Sequence, residues 1–137
     1  MLFGVRWWLF GVFFVSLGVG KFYEYSVDCV CMIPDLRITV LRTPHPDEVF
    51  GDDYPIEKQD WMGPCYMHSK GQEFIVHEGE MPEGFCSGAW VAIYPHIRML
   101  MMGGNMPGTE HGIALGSCND GLRPVVFKIE RIGSDGS

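Results

Sequence analysis

Five cysteines and five histidines are the residues of this chain with the most chemistry to offer. Cys65-x-x-His68 has the spacing of a metal-ligand pair, and Cys86 and Cys118 would complete a Cys₃His set. A structural zinc site needs four such donors in a tetrahedron. The sequence specifies no cofactor, but zinc and iron are the candidates for these ligands. The usual second close ligand pair is missing, so closing the set would depend on the fold. The same thiols permit a second chemistry. Cys86 stands near the start of an expected helix, where the helix dipole favours a thiolate. Cys118, beside an Asn-Asp-Gly turn, could serve as its resolving partner. Cys86 is then the candidate nucleophile of a thiol-dependent enzyme or redox protein, although no Cys-x-x-Cys occurs after residue 31. A third reading is that the thiols are small apolar core residues of a non-catalytic interaction module. Such a module would show an exposed apolar patch including Trp61 or Met99, Met101 and Met102.

Other chemistries find less support. There is no Gly-x-Ser-x-Gly elbow and no phosphate loop of the Gly-x-x-x-x-Gly-Lys type. Asp47, Glu48, Asp52, Asp53, Glu57 and Asp60 lack the order of an EF-hand and suit a solvated acidic loop. His45, His77, His96 and His111 are scattered. Arg123 follows the Asn-Asp-Gly turn, and its guanidinium could hold Asp120 or bind an anion; the tie to Asp120 is the expectation. An odd cysteine count does not suit a complete disulfide framework, so reduced thiols are expected.

The formal charge is −7. Arg6 and Lys21 balance Glu24 and Asp28 in the first 31 residues, so the acidic excess belongs to the rest of the chain. An acidic body without a basic run argues against a nucleic-acid backbone as partner and against docking on an anionic membrane. A length of 137 residues leaves room for one domain. Residues 1–31 form an apolar leader, either a signal peptide or the product of a start site placed too far upstream. Residues 32–137 form the single small cysteine-containing domain. Translation from Met32 would give a cytoplasmic protein, and a genuine signal peptide in residues 1–20 an exported one. Substrate and protein or small-molecule partner are not specified.

The elements that must position these residues are legible in outline. Arg37-Ile38-Thr39-Val40-Leu41-Arg42 alternates as a strand and is stopped by Pro44 and Pro46. Residues 47–50 suggest one helical turn. Residues 72–77 suggest a second strand with Phe74 and Val76 on one face. Ser87 suits a helix N-cap. Trp90, Ile93, Tyr94, Ile97, Leu100 and Met101 recur at three- and four-residue spacing, giving a helix with one apolar face. Pro95 should kink or divide it, and Gly103-Gly104 should end it. Residues 113–115 suggest a short strand. Residues 124–132 suggest the strongest one, with Val125, Phe127 and Ile129 facing one way. The expected class is α+β, a small antiparallel or mixed sheet packed against one main, proline-kinked helix.

Read in order, Gly63-Pro64-Cys65, Gly71-x-x-Phe74, Pro82-x-Gly84-Phe85-Cys86, Ala89-Trp90, Ile93 and Cys118-Asn119-Asp120-Gly121-Leu122-Arg123-Pro124-Val125-x-Phe127-Lys128 form an ordered string. That string resembles a family of small cysteine-containing domains of unknown function found in prokaryotes and fungi. The likeness runs from about Leu36 to Ile132 and leaves out the leader, which favours Met32 as the start. It implies that Cys65, Cys86 and Cys118 are the characteristic thiols and carries no catalytic residue with it. Members often have a second cysteine before the Asp-Gly turn, where this chain has Gly116-Ser117-Cys118. The resulting expectation is a domain whose Cys65, Cys86 and Cys118 converge for a structural, metal-binding or ligand-binding role.

Overall fold

The computed structural model describes residues 33–133. The leader, Cys29, Cys31, the expected start at Met32 and residues 134–137 lie outside the described residues. Six elements follow in order: β1 (Asp35–Arg42), α1 (Pro46–Phe50), β2 (Glu73–Val76), α2 (Ser87–Met101), β3 (Ile113–Ser117) and β4 (Val126–Ile132). The strands form one sheet in the order β2-β1-β4-β3, with every neighbouring pair antiparallel. The fold is α+β, a four-stranded antiparallel sheet with one main helix.

The period-two patterns dictate which face of the sheet is dry. Leu36, Ile38 and Val40 from β1 point inward with Phe74 and Val76, Ala114, and Phe127 and Ile129. Each large apolar side chain fully removed from water contributes roughly 1.5–3 kcal/mol, so this layer is the main support of the fold. The intervening side chains face outward and mix charged residues with Thr39, Ile75 and Leu115. Arg37 there lies 3.5 Å from Glu130 and 3.8 Å from Glu73, and Lys128 lies 3.1 Å from Glu130. The register of β1 on β4 shifts between Val40 and Arg42.

α2 covers the apolar face with Ala89, Ile93, Ile97, Leu100 and Met101, all buried. The expected stripe is thus present, although Tyr94 is displaced toward solvent and Met101 belongs to the core rather than to a surface patch. Pro95 does not divide the helix. It lies on the exposed face, where the Val91 carbonyl it leaves unpaired can turn to water. At the far end the Gly103 and Gly104 N–H groups donate to Leu100 and Met99 carbonyls and close the helix. Arg131 of β4 then grips this end. Its Nη1 donates to the Leu100 and Gly104 carbonyls, each at 3.0 Å, and its Nη2 donates to Asn105 Oδ1 at 2.6 Å.

Candidate functional site

Three stretches of chain meet at the N-terminal end of α2: residues 63–68, residues 84–89 and the β3–β4 connection at 118–125. Gly84 adopts φ +75°, a left-handed turn that suits glycine, and it delivers Phe85 into the core and Cys86 to the helix start. The N-cap is Cys86, not Ser87, which is the first helical residue. The cap falls one residue earlier than expected because Cys86 takes the extended conformation, φ −69° and ψ 123°, that a cap requires.

The β3–β4 connection is built by Asp120. Its Oδ1 accepts from the Leu122 N–H at 2.9 Å, as the Asn-Asp-Gly sequence suggests. Its Oδ2 meets Arg123 Nε at 3.3 Å, the expected tie. Arg123 does more than hold its own turn. Its Nη1 donates to the Gly63 and Pro64 carbonyls at 3.0 and 3.3 Å, joining segments 60 residues apart in sequence. Gly63, Pro64, Asp120 and Arg123 therefore act as one clamp.

Held this way, Cys65, Cys86 and Cys118 border one pocket of about 170 Å³, together with His68, Asn119 and Arg123. The three thiols are free and half-buried, and each also packs against the core. Cys118 Sγ accepts from the Val125 N–H at 3.2 Å. Tyr66 and Met67 border the same pocket and are largely exposed.

His68, which the sequence offers as a ligand partner of Cys65, lies in the core at 3 % exposure. Its ring stands between Phe85, Phe74 and Phe127, with centroids 4.9, 5.6 and 5.5 Å away. Neither ring nitrogen has a hydrogen-bond partner. Burial pushes the imidazole below its ordinary pKa of 6.5; the Gln72 side chain opposes this but falls short of hydrogen-bond geometry. His68 is consequently held neutral, because an unpaired charge among phenyl rings would be costly. No sequence signal links residues 68, 74, 85 and 127, since the fold alone brings them together.

The four residues expected as metal ligands share a pocket but not a coordination sphere. Among the described residues, no three His, Cys, Asp or Glu side chains are placed to hold one metal ion. The other histidines lie elsewhere. His45 caps α1, His77 meets Asp35 at 2.9 Å, His111 is exposed, and His96 has a buried Nδ1 without a partner. Trp61 is 66 % and Met102 71 % exposed, whereas Met99 packs on the core. No helix among the described residues is long and apolar enough to cross a membrane.

Phe85 and Trp90 meet edge to face at 6.1 Å, Ala89 and Ile93 are buried beneath α2, and Pro124 leads into β4. A scan of protein-family models and searches of curated proteins and of solved structures give no match.

Proposed function

We propose that the domain is a binding module for a small molecule, taken up in the thiol-lined pocket at the N-terminal end of α2. The observation that carries this reading is the convergence of Cys65, Cys86 and Cys118, from three separate segments, on one opening. Size then narrows the ligand. An apolar cavity of about 150 Å³ accepts a benzene-sized molecule, and sites for drug-sized ligands start at about 300 Å³. A pocket of about 170 Å³ therefore suits a molecule of a few heavy atoms. It is roomier than one ion needs, and its donors are not gathered around a point. Zinc or iron remains the second reading, favoured by the neutral, unpartnered imidazole of His68, the form in which histidine binds metals.

The test is peptide-resolved labelling of the native, reduced full-length chain with iodoacetamide. A shared pocket predicts that a molecule labelled at Cys65, Cys86 or Cys118 is protected at the other two. Independent labelling of all three, or none before denaturation, would defeat the reading. Metal analysis of the same protein, purified without chelator, supplies the other arm. Near-stoichiometric zinc or iron that is lost in Cys118→Ser would replace the molecule with a metal.

A further inference from the structure

We infer that the ligand of this pocket is an anion, with its charged head seated on the open N-terminal end of α2 beside Arg123. This rests on the small-molecule reading above and adds the ligand's charge. α2 has 15 residues, its N-cap Cys86 makes no side-chain capping bond, and its first turn holds no acidic residue. Among the described residues, the N–H groups of Ser87, Gly88 and Ala89 meet no acceptor outside the helix. Such an end carries a partial positive charge and presents donors in the arrangement anions bind. It opens on the pocket, because Cys86, Gly88 and Ala89 line it. Gly88 leaves the seat clear: a Cβ there would stand 3.7 Å from Asn119 Oδ1 and 3.8 Å from Cys86 Sγ, in the gap between them.

Two further side chains supply donors. Arg123 is only 18 % exposed, and its Nε and Nη1 are committed to Asp120 and to the Gly63 and Pro64 carbonyls. Its Nη2 meets no acceptor among the described residues. The Asp120 carboxylate is spent on Arg123 and two backbone N–H groups, so it does not compete for the seat. His68 lines the same pocket with both ring nitrogens buried and unpartnered, and a neutral imidazole keeps one N–H to give. Unpaired buried donors are costly, and an anion satisfies several of them at once. Ala89, Val125 and Met67 give the pocket an apolar stretch of wall beside Asn119 and Asp120. The chemical class is accordingly a small organic acid with a carboxylate or similar oxyanion head and a short carbon body.

The experiment compares iodoacetate with iodoacetamide at Cys86 of the full-length chain, each rate divided by that of the denatured protein. The two reagents are nearly equal in size and differ in charge; either forms an S–C bond, expels iodide and sends the thiol proton to solvent. An anion seat predicts a normalised preference for iodoacetate of about two- to five-fold at low salt, the size of effect a charge meets at an uncapped helix N-terminus. Acetate should slow the iodoacetate reaction, whereas acetamide should not. Gly88→Ala, whose Cβ makes only ordinary contacts, and Arg123→Gln should each return the ratio toward one. A wild-type ratio of one with both reagents reaching Cys86 would overturn the anion and leave a small-molecule pocket standing. Labelling by neither reagent before denaturation would overturn both.

Discussion

The two helices of this domain begin in opposite ways. α1 has five residues and an N-terminus that is fully provided for. The Asp47 N–H donates to His45 Nδ1 at 3.1 Å, the His45 N–H donates to Glu48 Oε1 at 3.0 Å, and Pro46 needs no partner. Asp47 and Glu48 complement the dipole and are braced in turn by Lys58 and Arg42 at 2.7 and 2.8 Å, with Tyr54 also donating to Asp47. α2 is three times as long and has none of this at its N-terminus. An isolated five-residue helix is marginal in water, so α1 depends on its caps. α2 is held by its buried face and can leave its first turn unspent. Support and availability are thus divided between the two: α1 turns its polar groups on itself, and α2 directs them at a pocket.

The largest effect that would break this comparison is loss of the packing that lets α2 do without a cap. Phe85→Ala removes a ring lying 4.9 Å from both His68 and Phe74 and 5.5 Å from Phe127. It should cost about 3–5 kcal/mol in urea unfolding. The matching Phe50→Ala at the end of α1, where the ring's partner is Tyr54 at 5.9 Å, should cost about 1 kcal/mol. Similar values at both sites would show that α2's start is no better supported than α1.

Next come the guanidinium ties. Arg123→Ala should cost about 1.5–3 kcal/mol, the range for hydrogen bonds to a charged and largely buried group. Arg42→Ala, which removes a solvent-exposed partner of Glu48, should leave the urea midpoint unchanged. A midpoint shift in Arg42→Ala as large as that in Arg123→Ala would contradict the division.

Acid titration separates the regions by pH. His68 has its folded-state pKa below 6.5. As pH falls from about 6.5, the unfolded chain therefore binds a proton that the folded chain refuses. Stability should drop by about 1.4 kcal/mol per pH unit until the folded value is reached. Above 6.5 this contribution to the slope vanishes. His68→Phe should abolish the slope and, by removing unpaired nitrogens from a phenyl cage, should not destabilise the protein at neutral pH. Around α1 the hydrogen bond from Lys58 lowers Asp47 below 3.8, and the His45 N–H lowers Glu48 below 4.5. Their stabilisation is present above those ordinary values and is lost only as pH falls through the folded ones. Stability measured from pH 7 to 3 should accordingly decline in two stages, with only the first sensitive to His68→Phe.

The smallest effect sharpens the contrast by its sign. Cys86→Ser would give α2 the cap it lacks and should stabilise the fold by about 1 kcal/mol, while His45→Ala should destabilise α1 by about 1 kcal/mol or less. If Cys86→Ser destabilises instead, the thiol contributes more through packing than the open helix end costs.

How far the sequence could be read follows from which patterns are local. The strands appear in it because Leu36, Ile38 and Val40, or Phe127 and Ile129, alternate with polar neighbours over a few residues. α2 appears because Ile93, Ile97 and Leu100 recur at helical spacing. The placement of β4 between β1 and β3 does not appear, since Asp35 pairs with Ile132 across almost the whole domain and no local pattern encodes that partner. The site shows the same limit. Cys65, Cys86 and Cys118 attract notice because they stand in turns and at a helix start. The seat at Gly88 and the burial of His68 are invisible, because one is a missing side chain and the other a set of rings from four distant positions. Pro95 misleads for a related reason, as its cost depends on which side of the helix meets water.

The grip of Arg131 on the last turn of α2 has a mechanical consequence. A 15-residue helix is about 22 Å long, and a rod clamped at one end moves most at the other. A tilt of about 5° about the Leu100–Gly104 clasp would carry Cys86 by about 2 Å while barely disturbing the clasp. Trp90 lies near that far end, edge-on to Phe85, so its fluorescence should register the filling of the pocket as a change in ring environment.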